Sequence, residues 1–430
     1  MLNAGAARRT VTPPTWVPYL TSSGNGTCAP FEGVHDDLHA RALVLDDGAQ
    51  AVAVLAVDSI GYDNAILGPG RDFTRELRER VASATGLAED ALMLAATHAH
   101  STPETIGLTP FRETPGVPEW VEAHLEDLAA TVVAAWHNRT PVRAYAGKQQ
   151  VQGVARYRRI LLEGGSMSRR GALSPDARVA APCETDEDLS TLYLETEAGH
   201  PYAVLLNYTA HAVIAMLLPP VSADYPGAAA ACVEAALPGA VCLVTNGATG
   251  NVNTVHVTTC FEDVEAVGQA LGQGALETIA RLKQGEALRE SGIQVCSEAV
   301  ILDARACPPL AEVEEADASD RDLRVRRLAR KLAESPIRAE VQLMGVGPVR
   351  WVGLPGEAFV ETGLALKQAG ASFVVGYANG WVGYLPIRRA YGEGGYEVGI
   401  GPWSRVAPGS AERLEAVGKG LLNRTGRACG

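Results

Sequence analysis

Residues Leu92-Met93-Leu94-Ala95-Ala96-Thr97-His98-Ala99-His100-Ser101 form an apolar run that ends on two histidines. Side chains two apart on a strand point to the same face, roughly 6–7 Å apart along it. His98 and His100 therefore reach one site side by side if the strand continues through them. A second run of the same shape, Leu205-Leu206-Asn207-Tyr208-Thr209-Ala210-His211, brings a third imidazole to the end of another strand. A single histidine at a strand end reads most simply as a hydrogen-bonded structural residue. A His-x-His pair joined by a third makes a candidate metal pocket, and neutral imidazole nitrogen suits zinc.

Outward from these runs, the pattern alternates strands and helices. Two apolar stretches, 40–45 and 51–58, flank the turn signal Asp46-Asp47-Gly48 and predict a hairpin. Phe73, Leu77 and Val81 recur at helical spacing, and Gly86 stops that helix. Val121, Leu125, Leu128 and Val132 predict a long helix over 119–136, and a second hairpin is expected at 191–196 and 203–208. A helix over 226–236 leads to a strand at 241–245 and the glycine-rich loop Asn246-Gly247-Ala248-Thr249-Gly250. Val264, Val267, Leu271 and Ala275 mark another helix. The charge-dense stretch 311–334 carries Val325, Leu328 and Leu332 on one stripe, as a surface helix does. Strands at 339–344 and 349–354 precede Pro355-Gly356-Glu357; a strand at 372–377 and a closing helix through Leu414, Val417 and Leu421 complete the pattern. The expectation is one α/β domain, 1–430, with mixed β-sheet flanked by helices and active residues at strand ends.

Composition narrows the function. The 430 residues are 47% hydrophobic and 20% charged, enough for a substantial core. A formal charge of −13 without dense Lys/Arg runs argues against nucleic acid and against an anionic membrane surface as partners. No apolar window approaches the ~18 residues of a membrane span, and the amino terminus lacks the apolar stretch of a secretory signal. The eight cysteines are scattered without Cys-x-x-Cys and read as reduced thiols of a cytoplasmic protein. The partner implied is a small-molecule substrate; oligomeric state is not encoded in any pattern. Signatures of other hydrolases are absent: no Gly-x-Ser-x-Gly elbow, no His-Glu-x-x-His helix, no phosphate-binding Gly-Lys-Ser/Thr loop.

The order Thr97-His98-Ala99-His100-Ser101, Asn207 to His211, Gly247 to Asn253, Leu354-Pro355-Gly356-Glu357, and Tyr391 to Tyr396-Glu397 resembles the neutral/alkaline, non-lysosomal ceramidase family in its amino-terminal catalytic domain. It also resembles shorter bacterial proteins that share that domain, and the likeness spans residues 5–425. The resemblance implies one catalytic Zn2+ per chain with His98, His211, Glu357 and Tyr396 as ligands, Tyr391 replacing Tyr396 in the alternative register. It places His100 beside the attacking water and Arg158, or Arg159 by one position, in the active site. Departures accompany it. The family carries Gly-Asp-x-Ser-Pro where this chain has Gly250-Asn251-Val252-Asn253-Thr254, which removes a serine nucleophile and leaves activated water. The sequence after Tyr396 differs, and the sequence stops about where the catalytic domain does, before the family's immunoglobulin-like domain.

The chemistry is coherent on the residues themselves. Zinc held by two imidazoles and a carboxylate lowers a water's pKa toward about 7. His100 can take and return a proton, Arg158 can stabilise an oxyanion, and a tyrosine such as Tyr396 can ligate or donate a hydrogen bond. The expected activity is hydrolysis of an N-acyl amide other than ceramide. An ester, lactone or carbohydrate-linked bond on the same site is the alternative, and a non-catalytic ligand-binding relative the second. Each residue also has a plainer reading: Glu357 as a helix N-terminal carboxylate, Tyr396 as a packed aromatic, Arg158 as solvated surface. Asp224 orients a ligand or the substrate, or caps a helix. Asn251 and Asn253 line the pocket or set turn geometry. Asp58 fits a turn, and Asp36, Asp37 and His39 a second acidic-imidazole cluster.

Overall fold

Asp46 and Asp47 turn the chain as the sequence predicts. Their carboxylates accept the amides of Gly48, Ala49 and Gln50, and the flanking strands pair antiparallel. In a computed structural model, residues 1–22, 27–163, 165, 167–168, 178–180, 184–310, 319–334 and 336–425 are described. Eight strands build the larger sheet: β1 (Asn3–Thr10), β2 (His39–Asp46), β3 (Ala51–Val57), β4 (Leu92–Ala96), β5 (Thr140–Gln150), β6 (Asp188–Thr196), β7 (Pro201–Tyr208) and β8 (Val241–Asn246). Their order is β8-β7-β6-β5-β1-β2-β3-β4. The pairs β3/β4 and β7/β8 are parallel and the rest antiparallel.

Each parallel pair needs a crossover, and a helix supplies it. Helix α1 (Phe73–Thr85) joins β3 to β4. The Asp72 carboxylate accepts from Arg75 N at 2.9 Å, and Gly86 closes the helix at φ 78°. After β4, α2 (Val117–His137) buries the expected stripe Val121, Leu125, Leu128 and Val132. Helix α3 (Asp224–Ala236) joins β7 to β8 and packs on α4 (Phe261–Leu282). A second, four-stranded sheet orders β9 (Ile293–Leu302), β10 (Ile337–Val346), β11 (Val349–Gly353) and β12 (Phe373–Val375) in sequence. It packs against α6 (Val360–Gln368) and α7 (Ser410–Thr425). Before β10, α5 (Asp320–Glu334) carries Val325 and Leu328 buried; residues 311–318 of the expected helix lie outside the described residues. Met344, Trp351 and Phe373 of the second sheet share a core with Val54 and Leu94 of the first. The fold class is the mixed α/β one expected. Among the described residues no disulfide forms and no helix is long and apolar enough to cross a membrane; Cys183 and Cys429 lie outside them.

The two edges of the large sheet meet at their carboxy-terminal ends. Asn246, at the end of β8, donates from Nδ2 to Thr97 O beyond β4 at 2.8 Å. The segment after β12 threads between them: Gly376 N donates to Asn246 O at 2.9 Å, and Asn379 N to Leu94 O at 2.8 Å. Strand-end residues that an open sheet would hold far apart thus converge. Beside this junction Glu104 is fully buried, accepting from Leu108 N, Thr109 N and the Thr109 hydroxyl at 2.8, 3.2 and 2.6 Å.

Burial pushes the Glu104 carboxyl up to about 7, against the pull of those hydrogen bonds and of Lys331. Its folded-state pKa lies above the ordinary glutamate value, so its stabilising contribution is complete in acid. That contribution is lost as pH rises through about 7. The melting-temperature gap between the native chain and Glu104→Gln should therefore shrink from pH 5 to pH 8, an effect of up to about 3 kcal/mol. A gap constant with pH contradicts this.

Candidate metal centre

β4 stops at Ala96, and Thr97 N pairs with Val57 O at 3.0 Å. His98 then turns left-handed at φ 61°, a region histidine visits more readily than most residues. The strand does not continue through His98, as the side-by-side reading required. A turn brings the two imidazoles together, Nε2 to Nε2 at 3.1 Å. His211 arrives past β7, with its backbone N bonded to Val252 O at 3.0 Å and its Nε2 2.9 Å from that of His98.

The outer nitrogens decide what the inner ones offer. His98 Nδ1 lies 2.5 Å from Ile60 O, and His211 Nδ1 3.0 Å from Thr249 O. A carbonyl only accepts, so each Nδ1 carries the proton and each Nε2 presents a bare lone pair. Glu357 completes the group: its Oε2 is 3.6 Å from His98 Nε2 and 3.4 Å from His211 Nε2. Oε1 accepts from the Trp381 indole at 3.2 Å, whereas Oε2 is buried with no hydrogen-bond partner. Glu357 is no helix-start carboxylate. It lies in a two-residue ladder, Glu357–Ala358 beside Tyr384–Leu385. Gly250 lets the glycine-rich loop lie against it: Gly250 N donates to Ala358 O at 2.8 Å, and a Cβ at 250 would stand 2.3 Å from Glu357 O.

Burial holds His98 and His211 well below the usual imidazole value and His100 at about 3, with Arg158 adding to each. Burial raises Glu357 to about 7, opposed by hydrogen bonds from Tyr384 and Trp381 and by Arg158. The donor set suits a tetrahedral zinc. Ligands at 2.0–2.1 Å are spaced about 3.3 Å apart, close to the 2.9, 3.4 and 3.6 Å edges here. The ligand atoms of His98, His100 and His211 also lie within 4.8 Å of one another, a second combination that could hold an ion.

Around this group sit residues that sequence reasoning missed. The Tyr377 ring stacks on His98 with centroids 4.0 Å apart, and its hydroxyl meets Thr249 Oγ1 at 2.6 Å. Arg158 is no solvated cation. It donates to Glu397, Asn253, Gly250 O and Tyr384 at 3.0, 3.0, 2.7 and 2.9 Å, engaging four of its five N–H donors. Arg159 is also buried but turns to Glu397, Glu393 and Gly394 O. Of the two, it is Arg158 whose charge is felt by the three histidines. The only signal for Tyr377, Trp381 and Tyr384 was a glycine- and tyrosine-rich composition; Glu397 stood unremarked beside Tyr396.

The other sequence candidates make the following contacts. Tyr396 packs on Trp403 (4.8 Å) and edge-on to Tyr384 (5.8 Å), and Tyr391 donates to Val406 O at 2.8 Å. Asn253 meets Arg158, while Asn251 accepts from Val360 N at the start of α6 and donates to Glu361. Ala223 stands at the start of α3 with no capping side chain, and the Asp224 carboxylate accepts from Ala215 N, in the loop after His211, and from Tyr225 N, in the first turn of the helix, at 2.8 and 2.7 Å. Asp58 pairs with Arg41 at 2.8 Å in the interior. Asp36 and Asp37 accept from Ala223 N and the Thr12 hydroxyl, and form no metal-capable group with His39.

No protein-family model and no curated protein sequence matches the chain. Among solved structures, neutral ceramidase from Pseudomonas aeruginosa is similar, with a TM-score of 0.74 and 17% identity over 98% of this chain and 74% of that one. A ceramidase complexed with C2 is similar over the same shares, with a TM-score of 0.75 and 17% identity. The chain thus has the neutral-ceramidase fold.

Proposed function

We propose that this chain is a zinc-dependent hydrolase that cleaves the C–N bond of an N-acyl amide. The observation that carries this reading is the facing lone pairs of His98 and His211 Nε2 beside an unpartnered Glu357 oxygen. The fold shared with ceramidases supports the reaction class. In this reading His98, His211 and Glu357 hold the cation and Tyr396 is its fourth ligand. A bound zinc supplies Lewis-acid polarisation of a carbonyl and draws the pKa of water toward about 7.

The chain's own groups do the rest. His100 is neutral at working pH, so its Nε2 accepts a proton and returns it to the leaving amine. Arg158 has one N–H donor to spare and is fixed by Glu397 and Asn253, a preorganised partner for negative charge on substrate oxygen. Trp381 and Tyr384 orient Glu357, and Tyr377 holds the His98 ring. The same aromatics belong to an apolar cluster with Leu20, Ile60, Ile106, Leu108 and Phe359. That packing fixes the rings and keeps water from the reacting centre. Asn253 meets Arg158 where the family carries serine, so ceramide itself is expected to be a poor substrate.

Metal analysis and turnover should fall together in His98→Ala and His211→Ala. His100→Ala should retain zinc while turnover drops about 10²–10⁴-fold; loss of zinc in that variant would move His100 into the ligand set. Arg158→Ala should cost about 10²–10³-fold in turnover with zinc retained. Arg159→Ala should instead lower the melting temperature, because it removes one of the two guanidinium groups that hold buried Glu397. In a panel of N-acyl amides (ceramide included), esters, lactones and glycosides, fast ester cleavage without amide cleavage overturns the bond assignment. Stoichiometric zinc with no turnover of any class overturns the hydrolase.

A further inference from the structure

Trp381, whose indole holds Glu357, also lines a cavity of about 900 Å³ to which none of the three histidines contributes. Eight of its lining side chains are Arg or Lys and three are Asp or Glu, in a chain of formal charge −13. The cations come from distant parts of the sequence. Arg327, Arg330 and Lys331 share one side of α5 at i, i+3, i+4 spacing, and Arg112, Arg338 and Arg405 arrive from three other segments. All three acids are engaged. Asp63 meets Lys331 at 2.5 Å and Arg405 at 3.9 Å, Glu113 meets Arg330 at 3.6 Å, and Asp72 caps α1.

Carboxylates meet most of the eight cations: Arg71 pairs with Glu76 and Glu122, Arg75 with Glu79, Arg330 with Glu113, and Lys331 and Arg405 with Asp63. Arg112 and Arg338 line the same cavity with no carboxylate against them among the described residues, and two guanidinium groups in a concave site attract an anion. Arg112 gives one N–H to Leu67 O at 3.3 Å, but its Nε is buried with no hydrogen-bond partner. Buried donors without acceptors are rare. Arg338 is exposed and adds a further cation to the wall. A carboxylate brings a single charge. A phosphomonoester brings about −1.5 to −2 and three acceptor oxygens in one small group, which guanidinium forks meet bidentately.

We propose that this cavity is a binding site for the phosphoryl group of a phosphomonoester, separate from the metal centre. The probe is glycerol 3-phosphate, titrated calorimetrically into the zinc-loaded full chain at fixed ionic strength, with acetate as comparator. Glycerol 3-phosphate should bind and acetate should not. The double variant Arg112→Gln/Arg338→Gln should weaken binding about tenfold or more, and Arg289→Gln, at an exposed position outside the cavity, should leave it unchanged. If the double variant does not fold, Arg338→Gln alone should weaken binding about two- to fivefold. Sedimentation with phosphatidylcholine vesicles, with and without phosphatidic acid, distinguishes the source. Retention that requires phosphatidic acid and is lost in the variant assigns a lipid headgroup; binding of the soluble ester alone assigns a free metabolite. Equal binding of acetate, equal binding by the double variant, or no binding in either arm overturns the site. Binding is read without turnover, so its failure leaves the hydrolase reading untouched.

Discussion

Two imidazole nitrogens 2.9 Å apart, each turned inward by a carbonyl behind its ring, are the constraint around which the interior is arranged. Lone pairs do not attract one another. A proton shared between the rings would relieve them, yet burial disfavours imidazolium at both positions. A carboxylate oxygen with no donor stands against the same pair. Acceptors facing one another cost free energy in a low-dielectric interior, and a bound cation would satisfy all three together. The fold spends several secondary elements on holding this arrangement, which marks it as a site rather than a packing accident.

Those elements come from opposite edges of the sheet. His98 follows β4 at one edge; His211 and the Thr249 carbonyl follow β7 and β8 at the other, and Glu357 comes from the chain between β11 and β12 of the second sheet. Asn246 and the segment 376–379 bind the edges to each other, and the backbone there is strained. His98, Tyr377, Asn379 and Asp224 all take positive φ without being glycine, at 61°, 55°, 57° and 54°. Such residues persist where their surroundings over-determine them, and they gather at functional sites. Leu217 and Thr258 share that sign of φ; His98, Tyr377 and Asn379 are the three that lie on the chain segments that close the sheet, and Asp224 pins the loop that follows His211 through Ala215 N.

Local chemistry was legible in the sequence, and long-range closure was not. The Asp-Gly hairpin, the Asp72 and Gly86 ends of α1, and the α2 stripe depend on neighbours within a few residues, so pattern alone placed them. The amino-terminal strand escaped notice because Asn3–Thr10 is only partly apolar; its place between β5 and β2 depends on partners 30 and 130 residues away. The end of β4 at Ala96 was hidden because Thr97 and Ala99 continue an alternation that strands also show. At the site, His98, His211 and Glu357 converge. Tyr377 and Trp381 had no motif to announce them, since a ring that stacks on an imidazole or donates to a carboxylate is recognised only by where it lies. Arg158 and Arg159 read as a surface cluster because only Glu397, some 240 residues later, gives two adjacent guanidinium groups a reason to be buried.

That arginine pair bears on what the site can stabilise. Glu397 faces both Arg158 and Arg159, and Arg159 also meets Glu393, so the two guanidinium groups are matched by carboxylates before any cation enters. Glu397 is held below the usual carboxylate range by the two guanidiniums despite its burial. Its charge is spent on them, at contacts of 3.0 and 2.5 Å. A divalent ion held by neutral imidazoles and one carboxylate then leaves the centre positive, with Arg158 close enough to depress all three histidines. Such a field does little for a neutral amide carbonyl in the ground state and most for an oxygen that gains negative charge as water adds. The electrostatics are therefore differential in the sense catalysis needs. In the reading proposed above, Arg158 is largely desolvated beside the three imidazoles because the charge it faces there is the one that grows as the reaction proceeds.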